Sequence, residues 1–229
     1  MTDAEPTLLL TRPEAQSRAF LHQCEAAVGR RLPTVVSPVM EIERIGELPD
    51  LDGYGTIVFT SGNGVRSALE TGSLTGRTVA TVGKKTADLA KAAGADAVPL
   101  GEDVDGFIAG AGGLTGPVLL CRGVHSRGDL AEILRGLGLA VDEAVIYDQA
   151  ARALSSAALS LLAGTNPVIV PIFSPRSAAL LAGYGEITAP VTVIAMSRNV
   201  ADAWSGPGEV LVAEKPTSEA MCSLTISYF

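Results

Sequence analysis

The chain has 229 residues, 47% of them apolar, a length that fits either one large core or two small ones. Three widely spaced cysteines (Cys24, Cys121, Cys222) point to buried thiols rather than a disulfide framework, and His22 and His125 alone are too few for a metal-ligand cluster. A net charge of −8 with 4% aromatic residues leaves neither a broad basic face nor a stacking platform for nucleic acid. A local positive site for an anionic small molecule stays open, because a ligand feels the nearby field and not the total.

The first residues, MTDAEPTLLLTRPEAQ, are acidic and reach only a three-leucine run before Arg12, which fits neither a signal peptide nor a membrane span. A cytoplasmic protein without a membrane or nucleic-acid partner is expected. Short Val/Ile/Leu runs then alternate with Ala-rich segments of helical period, the pattern of a parallel sheet covered on both faces. Strands are predicted at TLLLT (Thr7 to Thr11), TIVFT, TVATV, PVLLC, VIVPIF, VTVIAM and EVLVA. In the first helix Phe20, Cys24, Ala27 and Val28 form an apolar stripe, as do Leu130, Ile133, Leu134 and Leu137 in SRGDLAEILRGLG, where Gly138 supplies the permissive C-terminal residue.

Blocks of sequence recur. LLLTRPEAQSRAFLHQC is similar to VLLCRGVHSRGDLAEIL, with Leu8 on Val118; VFTSGNGVRSAL matches IFSPRSAALL, with Phe59 on Phe173; TVATVGKKTADLAKAAGA matches VTVIAMSRNVADAWSGPG, with Val79 on Val193. Three blocks in the same order imply a duplicated α/β unit, hence two similar domains with a cleft available between them. Two extended stretches, Arg31 to Glu43 and Gly138 to Ala151, interrupt the pattern about one repeat apart. Each reads either as an ordinary strand plus loop or as one of a pair of crossings between domains. On the second reading the middle of the chain is one domain and the two ends jointly form the other.

In such sheets ligands sit beyond the carboxyl ends of the strands, where helix N-termini offer unpaired N–H groups. Ser61 and Asn63 follow one strand, and Ser174, Pro175 and Arg176 follow its copy. Arg12 follows the first strand, and Arg122 with Arg127 follows its copy; guanidinium forks suit carboxylate or phosphate. Lys84, Lys85, Thr86, Ser197 and Arg198 occupy a third pair of turns, and Lys215 and Thr217 a fourth. The plainer explanation makes the hydroxyls helix caps and the arginines members of surface ion pairs. GAGGLTG precedes its strand and misses the dinucleotide spacing, and neither a P-loop nor a G-x-S-x-G elbow occurs. Chemistry here is expected to run without a cofactor.

LLLTRP, VFTSGNGV, TVATVGKKTADLAKAAGA, VLLCRG, AVDEAVIYDQ, IFSPRSA and AEKPTSEAM, in that order over nearly the whole chain, resemble the uroporphyrinogen-III synthase family. After the sixth predicted strand, where that family commonly has a Gly-containing turn, this chain has AMSRN. The resemblance implies two doubly wound parallel-sheet (flavodoxin- or Rossmann-like) α/β domains, residues 1–35 plus 150–229 and residues 40–142, joined by linker strands at 33–42 and 141–150. It implies cyclisation of hydroxymethylbilane, a linear tetrapyrrole, to uroporphyrinogen III with inversion of ring D and loss of water, without a cofactor. A monomer is expected because no long apolar helix is left unexplained, and no metal is expected on the histidine count. Tyr147 in VIYDQ matches the family's cleft tyrosine and is expected to assist loss of water; a tyrosine simply packed on the linker is the alternative. Arg12, Ser61, Asn63, Thr86, Arg122, Arg127, Ser174, Arg176, Ser197, Lys215 and Thr217 are expected to bind substrate. Competing expectations are a non-catalytic two-domain sensor or binding protein and a twin-domain nucleotide-sugar transferase.

Overall fold

A computed structural model describes residues 5–125 and 128–229 of the chain. The chain opens with β1 (Thr7–Leu10), α1 (Glu14–Val28) and β2 (Thr34–Val36). It continues through β3 (Met40–Arg44), β4 (Thr56–Phe59), α2 (Gly62–Leu69), β5 (Thr78–Val82), α3 (Lys84–Ala92), β6 (Asp96–Gly101) and α4 (Val104–Gly110). After a short 3-10 turn come β7 (Val118–Gly123), α5 (Leu130–Gly136) and β8 (Val141–Ala151). It closes with α6 (Ser156–Leu162), β9 (Val168–Ile172), α7 (Pro175–Ala182), β10 (Val191–Ala195), α8 (Arg198–Asp202), β11 (Glu209–Val212) and α9 (Ser218–Ile226).

Two compact units result: Met1–Glu41 with Ala150–Phe229, and Ile42–Gln149. The first holds a five-stranded sheet in the order β11-β10-β9-β1-β2, with parallel pairing from β2 to β11. The second holds a six-stranded sheet, β3-β8-β7-β4-β5-β6, parallel from β8 to β6. Counting the first unit's strands along the chain gives the flavodoxin-like order 2-1-3-4-5. The repeat puts β7 on β1 and β4 on β9, so β8-β7-β4-β5-β6 is the same arrangement entered at a different strand.

Why these runs become strands is visible in the two faces they bury. In β1, Leu9 joins one core while Leu8 and Leu10 join the other; in β9, Val168, Val170 and Ile172 alternate likewise with Ile169. The second unit does the same, with Ile57 and Phe59 on one side of β4 and Val58 on the other. A strand buried on both faces has no polar alternation, hence the continuous apolar runs.

Several expectations need correction. The stretch 33–42 is not one strand: it breaks at Ser37-Pro38 into β2 of one sheet and the start of β3 of the other. The buried Ser37 hydroxyl holds that break by accepting from the Ser155 N–H at 2.9 Å. β6 is absent from the predicted strands because it is an edge strand: Ala97 is buried, Val98 is exposed, and Pro99 is tolerated where no further strand pairs. The stripe on α5 is shifted. Leu130, Ala131 and Leu134 are buried, whereas Ile133 is 41% exposed and Leu137, beyond the helix end, 55%. In α1, Ser17, Phe20 and Cys24 face the core and Ala27 is exposed. Among the described residues no helix is long and apolar enough to cross a membrane.

Candidate functional site

In both sheets the strand order reverses direction at the β1/β9 and β7/β4 pairs, and a crevice at such a switch point is where doubly wound proteins bind ligands. Carboxyl ends of adjacent parallel strands share one edge, so each unit gathers its candidate residues along one rim.

In the second unit Ser61 follows β4 in extended conformation (φ −155°) and caps α2, its Oγ accepting from the Gly64 N–H at 3.5 Å. A pocket of about 530 Å³ opens there, lined by Ser61, Asn63 and Arg66 from α2 and its approach, and by Lys85, Thr86 and Asp88 from α3. Arg66 Nη1 donates to Asn63 Oδ1 at 3.2 Å, and Thr86 is buried. Lys84 Nζ is neutralised by Asp88 at 2.6 Å. Among the described residues neither Arg66 nor Lys85 pairs with a carboxylate, so the pocket keeps uncompensated positive charge.

Tyr147 lies on β8, 5% exposed, with its hydroxyl 2.9 Å from Ser61 Oγ; either oxygen can donate. It does not line the pocket itself, and Ser61 stands between. Arg122 was expected just past a strand end but lies within β7, and its Nε donates to Glu143 Oε2 at 2.5 Å. Glu143 also accepts from Arg135 at 3.4 Å, and the Arg122 hydrogen bond, helped by Arg135, holds its carboxyl below the usual carboxylate range. The guanidinium of Arg122 thus already has a resident carboxylate. Arg127 lies outside the described residues.

In the first unit Arg12 follows β1 and stacks on Phe173, the guanidinium carbon 4.1 Å from the ring centroid. Phe173 meets Phe20 edge to face at 5.0 Å, which fixes the platform. Burial lowers the Arg12 pKa from its ordinary value, and an arginine starts so high that it stays charged. Ser174 caps α7, accepting from the Ser177 N–H at 3.1 Å, with Pro175 in the first turn and Arg176 half-buried beside it. Thr217 caps α9, accepting from the Ala220 N–H at 3.2 Å, and its own N–H donates to the Lys215 carbonyl. Ser197 precedes α8 but makes no side-chain cap bond, while its counterpart in the other unit, Gly83, has a positive φ of 75°.

The second unit therefore brings Ser61, Asn63, Thr86 and Lys85 to one pocket, with Tyr147 behind Ser61; Arg122 is apart from it, committed to Glu143. Arg12, Ser174, Arg176, Ser197, Lys215 and Thr217 belong to the rim of the first unit. Arg66 is the pocket cation missing from the sequence expectations. Its signal was its place one turn after Asn63 on α2, on the face that looks at α3.

Two doubly wound parallel sheets whose carboxyl rims carry capped helix starts define an α/β protein of duplicated design. The family model for uroporphyrinogen-III synthase HemD (HEM4) matches residues 29–223. The chain belongs to the uroporphyrinogen-III synthase family, lyases of haem biosynthesis that cyclise hydroxymethylbilane to uroporphyrinogen III. The fold agrees: a crystal structure of uroporphyrinogen-III synthetase from Helicobacter pylori superposes with a TM-score of 0.71 at 19% identity, covering 99% of this chain and 100% of that one. A mutant uroporphyrinogen III synthase from the extremely thermophilic bacterium Thermus thermophilus gives a TM-score of 0.60 at 16% identity, covering 97% and 98%. A search of curated proteins finds no match.

Proposed function

We propose that the carboxyl rims of both sheets hold the acetate and propionate groups of hydroxymethylbilane, and that Tyr147 acts with Ser61 at the departing hydroxyl. What carries this reading is the 2.9 Å Ser61–Tyr147 hydroxyl pair beside a pocket that holds the unneutralised Arg66 and Lys85. In the second unit Ser61, Asn63, Thr86, Arg66 and Lys85 take carboxylates; Arg127 is a further ligand on its place in the sequence alone, and Arg122 joins them by exchanging Glu143 for a substrate carboxylate. In the first, Arg12, Ser174, Arg176, Ser197, Lys215 and Thr217 do so. Charge-assisted hydrogen bonds contribute roughly 1.5–3 kcal/mol each, so several modest contacts hold a flexible polyacid without a dominant anchor.

Free in water the bilane closes without inversion, so the work of the protein is to place the substituted carbon of ring D nearest the carbon that loses hydroxyl, a positioning effect. When Ser61 donates to the Tyr147 oxygen, the phenol proton is left for the substrate. The C–O bond breaks, the hydroxyl takes that proton and leaves as water, and the substituted carbon of ring D bonds the methylene left behind to give the spiro intermediate. The older bond from that carbon to the ring C methylene then breaks, the ring C methylene bonds the free α-carbon of ring D, and the proton this carbon loses as the ring regains aromaticity restores the phenol. Only water is lost and no electrons change hands, so the chemistry needs no cofactor.

The 5% exposure of Tyr147 favours a second reading, in which the phenol orients Ser61 and never meets the substrate. Tyr147→Phe separates the readings. As an acid, Tyr147 is worth about 10²–10⁴-fold in kcat with KM little changed, scored as isomer III by chromatography. As a support for Ser61 its loss raises KM, and unchanged turnover removes both roles. We further read the domains as residues 1–35 plus 150–229 and 40–142, with the crossings at 33–42 and 141–150 as linker, in a cytoplasmic monomer. Three buried free thiols suit a reducing compartment.

A further inference from the structure

We propose that Gly123 is a positioning residue for the synthase reaction: its missing side chain is the space in which the Tyr147 ring stands, and no residue with a Cβ can replace it without moving the phenol away from Ser61. The inference rests on the reading that the Tyr147 hydroxyl, as acid or as support for Ser61, matters to turnover.

The geometry comes from an irregularity between β7 and β8. Cys121 pairs with Ala144 and Arg122 with Val145, but Gly123 pairs with Tyr147, so Ile146 is passed over. Regular pairing would put Ile146 opposite Gly123. The extra residue advances β8 by one position at the carboxyl rim, and both Ile146 and Tyr147 turn into the same core, where alternation would send one of them to the other face. A methyl carbon built on Gly123 would lie 2.6 Å from Tyr147 Cε2 and 2.7 Å from Cζ, well inside contact distance. On the other edge of the ring, a methyl on Gly64 would be 3.7 Å from Cε1 and 3.1 Å from Phe59. The ring thus fits between two glycines, and the Ser61 bond at 2.9 Å fixes its hydroxyl.

Backbone freedom does not explain the glycine. Gly123 is not among the residues with positive φ, so alanine is conformationally permitted and only the ring forbids it. The ring cannot swing out at no cost, because Tyr147 is buried and its carbonyl accepts from the Val124 N–H at 3.0 Å, tying the two strands together at this point.

The test compares Gly123→Ala, Tyr147→Phe, the Gly123→Ala/Tyr147→Phe pair, Tyr147→Leu and the Gly123→Ala/Tyr147→Leu pair, with kinetics resolved by product isomer and thermal midpoints. Displacing the hydroxyl by about an ångström is expected to cost Gly123→Ala roughly 10²-fold in kcat/KM. In the Tyr147→Phe background the same substitution should cost nothing further, since no hydroxyl remains to misplace. Multiplying losses, or wild-type turnover in Gly123→Ala, overturn the inference. Should Gly123→Ala fold poorly, the midpoints decide it: the substitution should lower the midpoint when the ring is present and much less in the Tyr147→Leu background. An equal loss in both overturns the inference. Full activity of Tyr147→Phe would instead remove the role of the hydroxyl, and the midpoints would still report whether Gly123 makes room for the ring.

Discussion

Glu143 shows how one side chain decides what an arginine is free to do. Arg122 and Arg135 both donate to it, and Arg135 also clasps the Val141 carbonyl at 2.9 Å, so the triad pins the end of α5 to β8. The Arg122 bond lowers the Glu143 pKa in the folded protein. A lowered folded value means the carboxylate stabilises the fold fully above the ordinary carboxylate range, and that contribution disappears as pH falls through the folded value. Glu143→Gln should therefore be less stable than wild type at neutral pH and equal to it at strongly acid pH. Denaturation midpoints measured down the acid limb check this, and a difference that persists in acid would show that shape, not charge, is what the residue supplies.

At the scale of the element, successive helix starts in the first unit are built differently. The Ser174 hydroxyl accepts from an N–H in the first turn of α7, whereas Ser197 makes no such bond at the five-residue α8. Ser174→Ala is expected to cost about 1 kcal/mol of stability and Ser197→Ala at most about a few tenths. Trp204, the only tryptophan, is buried in the core that α7 and α8 share, so its fluorescence reports unfolding of that unit. Equal losses for the two serines would contradict the difference in capping. Where α8 lacks a serine cap, α3 has Gly83 at φ 75°, so the two copies start the same helix by different local means.

Across the whole molecule, a net charge of −8 coexists with a pocket in the second unit that keeps positive charge. Arg18, Arg30, Arg31, Arg44, Arg77 and Arg152 each pair with a carboxylate, while Arg12 rests on an aromatic face and Arg66 and Lys85 meet none among the described residues. A polycarboxylate held by exposed cations must feel screening, since the Debye length is about 8 Å at physiological ionic strength. KM for hydroxymethylbilane should rise with salt while kcat stays level, and an Arg66→Ala/Lys85→Ala variant should show a higher KM and a shallower slope. A KM indifferent to salt in the wild type would argue that hydroxyls and backbone N–H groups alone hold the substrate.

The amino-acid sequence by itself determined the duplicated α/β plan. Apolar runs buried on both faces, repeated in register from Leu8 to Val118 and from Phe59 to Phe173, leave a chain few alternatives to a parallel sheet, and Ser61, Ser174 and Thr217 announce the helices that follow. Local chemistry of that kind is written within a few residues. The tertiary structure decided what depends on partners far apart in the chain: that Arg122 meets Glu143, that Arg12 lies on Phe173, that α5 buries Ala131 in place of Ile133, and that a skipped residue in β8 carries Tyr147 to Ser61 across 86 positions. Side-chain pairing and strand register are settled by packing, and packing exists only once the strands have met.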